Sequence, residues 1–247
     1  MKKLIYTFFT IALLAIGIGV LYVFFINPSA TSTTHKSIKK ANSVPTKKKV
    51  TTNKETTPAV DTNILLVNKD HPLGANYIPQ NLVVPKVKFI STGDPNVREM
   101  NSTAAAALEN MFAAAKQDGF TLLAVSGYRS YKYQTQVYNA KVRKDGKASA
   151  SEYVAIPGES EHQTGLAMDL LSTEYTELDD GFAKTKSYGW LEANCAKYGF
   201  IIRYLKGKEN ITKYNFEPWH VRYVGVTAAE TIMEKGITLE EYLGKTN

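Results

Sequence analysis

The chain has 247 residues, 44% of them hydrophobic and 21% charged, and a formal net charge of +7, a size and balance suited to one moderate domain with appendages. The charge is uneven: residues 1–60 hold nine lysines and one acid, Glu55, whereas residues 61–247 hold 21 basic and 22 acidic residues. A folded part with no basic excess argues against nucleic-acid binding, and the single cysteine, Cys195, excludes an intrachain disulfide framework.

The first feature in chain order is an uncharged apolar run over residues 4–26, directly after Lys2 and Lys3. It is long enough to span a bilayer as a helix and longer than the apolar core of a signal peptide, and no small-residue cleavage site follows it. We therefore expect an uncleaved transmembrane anchor, with residues 1–3 as a short cytoplasmic N-terminus. Residues 27–61 are Ser, Thr, Lys, Asn and Pro with almost no large apolar side chains, the composition of a disordered tether. His35 lies in this segment and needs no role.

From Thr62 onward apolar residues recur. The prolines of DHPLGANYIPQNLVVPKVKFI suggest extended segments laid over a core, and His71 among them reads as structural. Ser102 is expected to cap a helix from Thr103 to about Gln117, ending near Gly119. FTLLAVS from Phe120 reads as a buried strand. GYRS turns out of it into a helix over Tyr131 to Arg143, and KDGKASAS reads as a loop. The window PGESEHQTGLAMDL comes next, with LAMDLL as a strand. SYGWLEANCAKYG reads as a helix stopped by Gly199, FIIRYL and FEPWHVRYVG hold further strands, and TAAETIMEKG with TLEEYLG makes a helical C-terminal end. Mixed helices and strands with short connections predict an α+β fold, a small antiparallel sheet with flanking helices.

Three clusters carry chemistry: Ser160, His162 and Asp169; Glu217 and His220; and Ser126, Arg129 and Ser130. Two histidines and an aspartate suit zinc with one position left for water. A cleft on the sheet would collect them, since Asp169 and His220 both lie on predicted strands. Glu217, three residues before His220, could take a proton from an activated water and return it to a leaving amine. Arg129 could hold a substrate carboxylate or a developing oxyanion. A structural use of the same histidines stays open from the residues alone. Serine nucleophile chemistry is a weaker rival: Ser160 is not in a G-x-S-x-G elbow, and neither Ser130 nor Ser172 has an evident base.

SEHQTGLAMD fits S-x-H-x-x-G-x-A-x-D and EPWH fits E-x-x-H; with SGYRSYKYQ, these motifs resemble the VanY-like D-alanyl-D-alanine carboxypeptidase family of zinc peptidases. The resemblance covers residues 63–244. It implies one zinc ion held by His162, Asp169 and His220, and Glu217 as general base. It implies that Arg129, Gln134 and Ser160 grip the substrate and its terminal carboxylate, and that residues 62–247 form the carboxypeptidase domain. Arg222, two positions after His220, departs from the H-x-H pair of the related lysostaphin-type endopeptidases. The implied activity is D,D-carboxypeptidase action, removing the last D-alanine from a peptidoglycan stem peptide. The alternatives are an L,D-carboxypeptidase acting on tetrapeptide stems and a non-catalytic wall-binding protein with structural zinc; the presence of Glu217 speaks against the second. A monomer, anchored by a single span in the cell membrane with its catalytic domain extracellular, completes the expectation.

Overall fold

The computed structural model describes residues 64–246. The expected anchor over 4–26 and the tether over 27–61 lie outside the described residues. Among the described residues no helix is long and apolar enough to cross a membrane.

The elements in chain order are β1 (Leu82–Val83), β2 (Met100–Asn101), α1 (Ser102–Gln117), β3 (Leu122–Ser126), α2 (Tyr131–Asp145), α3 (Lys147–Tyr153), β4 (Ala167–Ser172), α4 (Lys186–Asn194), β5 (Phe200–Tyr204), α5 (Glu209–Thr212), β6 (Glu217–Tyr223), α6 (Val226–Lys235) and α7 (Leu239–Leu243). β1 and β2 form a small ladder of their own. The main sheet has four strands in the order β3-β4-β6-β5, every neighbour antiparallel. This is the α+β architecture expected.

The two faces of the sheet have different chemistry because side chains alternate along a strand. Met168 and Leu170 of β4, Val221 of β6, and Phe200 and Ile202 of β5 join the main core with Leu108 and Met111 of α1 and Leu191 of α4. Full burial of one such leucine contributes about 1.5–3 kcal/mol. The intervening residues Asp169, His220, Arg222 and Arg203 therefore turn to the opposite face, where all four are buried. There Ile201 packs with Ala229 and Ile232 of α6 and Leu239 and Tyr242 of α7. α7 begins with a capping box in which Thr238 and Glu241 satisfy each other's backbone N–H groups.

A bulge interrupts β3 near its C-terminal end. Ala124 pairs with Leu170, yet Ser126 pairs with Asp169, so two steps on β3 oppose one on β4. The extra residue re-aims the end of the strand. Since Asp169 also pairs with His220, Ser126, Asp169 and His220 lie in one row across three strands.

Local structure departs from the expected pattern in three places. The side chain that caps α1 is that of Asn101, which accepts from the Thr103 N–H, and Ser102 is already the first helical residue. The segment expected as a loop is helical as α3, because Gly146, at φ 82°, ends α2 and restarts the chain as a second short helix. The helix expected up to Gly199 stops at Asn194 and tightens into a 3-10 turn over Cys195–Tyr198 before Gly199 adopts φ 80°. His71 is structural as expected: its Nδ1 lies 3.0 Å from Asn68 Oδ1 in a turn.

Candidate active site

The window from Ser160 onward folds as a 3-10 turn over Glu161–Thr164, closed by Gly165 at φ 68°. The positive φ is what requires glycine here; a Cβ would also lie 2.9 Å from Leu82 Cδ2, the end of a side chain that can shift. The turn delivers His162 against the rigid end of β3. Its Nδ1 lies 2.7 Å from the Gly127 carbonyl oxygen, and that acceptor requires the proton to sit on Nδ1. Nε2 is thereby left to face Asp169 Oδ2, 3.3 Å away.

Asp169 projects from the middle of β4 and is 3% exposed. Its Oδ2 accepts from Arg129 Nη2 at 2.9 Å. Its Oδ1 is 3.2 Å from His220 Nδ1, yet it is buried and receives no hydrogen bond. A buried carboxylate oxygen left without a donor costs free energy unless something else satisfies it. One donor atom each from His162, Asp169 and His220 lie within 4.8 Å of one another. Two imidazoles and a carboxylate at that spacing match the donor set of a zinc site with an open position, and the orphaned Oδ1 is the atom a cation would satisfy. The residues fit the metal.

Electrostatics points the same way. Burial, reinforced by Arg129, pushes His162 down to about 4, against the pull of Asp169, so its imidazole is neutral and able to donate a lone pair. Burial opposes charge on His220 as well, but the carboxylates of Asp169 and Glu161 on either side of it win and raise it to about 9; a metal ion held there would take the place of the proton they attract. Burial alone would raise Asp169; His162, His220 and Arg129 outweigh it and hold the carboxyl well below the usual carboxylate range.

Glu217 stands beside this centre at the start of β6. Its Oε2 is 3.8 Å from His220 Nδ1, outside hydrogen-bond range. Burial pushes its carboxyl up to about 7; His220 resists and Asp169 assists. A carboxyl that exchanges its proton near neutrality is suited to general acid–base work.

These groups line one open cavity of about 840 Å3, together with Arg129, Gln134 and Ser160. Arg129 is anchored through Nε to Ser126 Oγ at 2.9 Å and through Nη2 to Asp169, while Nη1 reaches Gln134 Oε1 only at 3.5 Å. Gln134 is itself fixed by donating to the Ala155 carbonyl at 2.8 Å. The cavity therefore brings together the seven residues to which the family resemblance gave roles: His162, Asp169, His220, Glu217, Arg129, Gln134 and Ser160. Ser130 is used otherwise, capping α2 through the Tyr133 N–H.

Sequence reasoning missed Glu161. It is wholly buried and sits behind His220, with Oε2 3.3 Å from His220 Nε2. A signal was present in the lone arginines inside the apolar runs FIIRYL and HVRYV. Buried arginines require buried carboxylates, and Arg203 and Arg222 both find Glu161. Tyr204 and Trp219 also line the cavity and were not anticipated.

Comparison with known proteins identifies the family. Residues 97–226 match the VanY family, described as D-alanyl-D-alanine carboxypeptidase. The protein YodJ of Bacillus subtilis (strain 168) is 51% identical over 185 residues, covering 74% of this chain and 68% of that protein. Among solved structures, the LdcB LD-carboxypeptidase is 50% identical with a TM-score of 0.69, covering 74% of this chain and 86% of that one. A variant of the vancomycin resistance D,D-pentapeptidase VanY in complex with Zn(II) is 34% identical with a TM-score of 0.60, covering 74% of this chain and 99% of that one. The chain belongs to the VanY family of D-alanyl-D-alanine carboxypeptidases and is a metallocarboxypeptidase.

Proposed function

We propose that this chain is a zinc-dependent carboxypeptidase that removes the terminal D-alanine from peptidoglycan stem peptides. The observation that carries the reading is the meeting of His162, Asp169 and His220 around the undonated Oδ1 of Asp169, with Glu217 alongside. His162, Asp169 and His220 would hold the metal. A zinc ion bound there supplies a Lewis acid and makes a water acidic enough to attack at neutral pH.

The chain's own residues do the rest. Glu217 takes a proton from the attacking water and delivers it to the amine of the departing D-alanine. Arg129, immobilised by Ser126, receives the substrate's terminal carboxylate through its guanidinium edge near Gln134. Ser160, buried in the wall of the same cavity, is assigned a hydrogen bond to the substrate.

The relatives divide between two substrates. The 50% identity to an LD-carboxypeptidase, against 34% to a D,D-pentapeptidase, supports L,D cleavage of tetrapeptide stems as the principal activity. D,D cleavage of pentapeptide stems, the activity in the family's description, is the second reading. Incubating residues 62–247 with defined tetra- and pentapeptide stems and weighing the products separates them. Loss of one alanine from the tetrapeptide supports the first; cleavage confined to the pentapeptide supports the second; no alanine released from either contradicts both. The apolar run over residues 4–26 we read as a membrane anchor with the catalytic domain outside, which agrees with a substrate in the cell wall.

A further inference from the structure

We propose that Glu161 is the positioning residue that sets the tautomer and aim of His220. This rests on the reading of His220 as a metal ligand. A neutral imidazole has one N–H and one lone pair, and only Nδ1 of His220 faces the point where the three donors converge: it is 3.2 Å from Asp169 Oδ1. Nδ1 can offer its lone pair only if the proton sits on Nε2. The group facing Nε2 is Glu161 Oε2, at 3.3 Å.

Glu161 is arranged to be an acceptor and nothing else. It is 0% exposed. Its Oε1 accepts from both Arg203 Nε and Arg222 Nη1, each at 2.7 Å, which leaves Oε2 for the histidine. Arg203 in turn grips Glu240 of α7 through two bonds, Nη1 to Oε2 at 2.9 Å and Nη2 to Oε1 at 2.6 Å. Glu240 Oε1 also accepts from Asn68 at 3.0 Å, and Arg222 Nη2 donates to the Leu65 carbonyl at 2.6 Å. The two arginines and two glutamates cancel in formal charge, so the network adds no net buried charge. Such a network is costly to desolvate, and packed apolar side chains often serve stability as well. Its position behind a ligand supplies the reason for it: an outer carboxylate orients a metal-binding imidazole and raises its basicity. His162 receives the same service from the Gly127 carbonyl. The fold thus gives each ligand histidine a fixed partner, one a backbone oxygen and the other a carboxylate held between two strands and the C-terminal helix.

Glu161→Gln tests this. The amide oxygen still accepts from the arginines, but its NH2 then faces His220 Nε2 as a donor and drives the proton to Nδ1. Zinc affinity, measured by competition with a chelating dye on protein shown by circular dichroism to be folded, should weaken about 10–100-fold. Glu240→Gln removes an acid from the same network without touching His220, and should lower thermal stability while leaving zinc affinity unchanged. Folded Glu161→Gln protein with wild-type affinity overturns the proposal, as does an equal loss in Glu240→Gln. Should Glu161→Gln fail to fold, nitrogen-15 shifts of the histidines in zinc-loaded wild-type protein decide. A proton on His220 Nε2 supports the proposal and a proton on Nδ1 overturns it. Wild-type protein that bound no zinc would overturn the metal reading itself.

Discussion

Replacing Glu217 by glutamine separates chemistry from metal binding at one position. Glutamine keeps the shape of the side chain and removes the proton acceptor. Glu217 is half-buried beside the centre, and its Oε2 lies 3.8 Å from His220 Nδ1, with no place among the three converging donors. Zinc content should therefore stay at the wild-type level. General acid–base assistance contributes about 10²–10⁴ in rate, or about 2.7–5.5 kcal/mol of barrier at 1.36 kcal/mol per tenfold change. Because Glu217 is assigned both proton transfers, from the water and to the leaving amine, the loss in kcat should reach the upper part of that range. KM should move little, since Arg129, Gln134 and Ser160 are untouched. The assay is D-alanine release from a stem tetrapeptide, read with zinc content on the same protein preparation. His220→Ala is the contrast: it should lose metal and activity together. Glu217→Gln protein that turned over at the wild-type rate would put the base elsewhere, and protein emptied of zinc would make Glu217 a ligand.

Arg129→Lys keeps the charge but not the planar fork, so KM for a substrate with a free C-terminal carboxylate should rise more than kcat falls; equal kinetics would remove Arg129 from substrate recognition. Gly165→Ala forces a Cβ onto a residue at φ 68° and to within 2.9 Å of Leu82 Cδ2, and should cost more than about 1 kcal/mol of stability by denaturant titration. A neutral result there would mean that the turn carrying His162 adapts. Protease added to intact protoplasts should cut within residues 27–61 and release an active domain; a mature chain already beginning near Thr31 would show a cleaved signal in place of an anchor.

The separate legibility of fold and site comes from the range of the interactions that make them. The strands over Leu122–Ser126, Ala167–Ser172 and Phe200–Tyr204 were readable because each is a short, mostly apolar run, and Glu217–Tyr223 because β-branched and aromatic residues alternate there with polar ones. The grouping of His162, Asp169 and His220 was readable because metal chemistry restricts residue type and the motifs restrict spacing. Local pattern could not carry cross-strand register. The bulge that turns Ser126 into the row of Asp169 and His220 exists only as a pairing with β4. The role of Glu161 likewise depends on Arg203, 42 residues away, and on Arg222, 61 residues away. The cap at Asn101 was displaced by one residue because Ser102 is an equally good capping type. The helix at Lys147–Tyr153 was hidden by Gly146, which ends one helix equally well before a loop or before a second helix.

The central claim is that one zinc ion, held by His162, Asp169 and His220, makes this chain a carboxypeptidase. The most direct measurement tracks D-alanine release from a stem tetrapeptide by the purified domain over residues 62–247, before chelation, after chelation and after zinc is returned. The account predicts activity that disappears with the chelator and returns with one equivalent of zinc, and no return in His220→Ala. Release that persisted after the metal had been removed would contradict it.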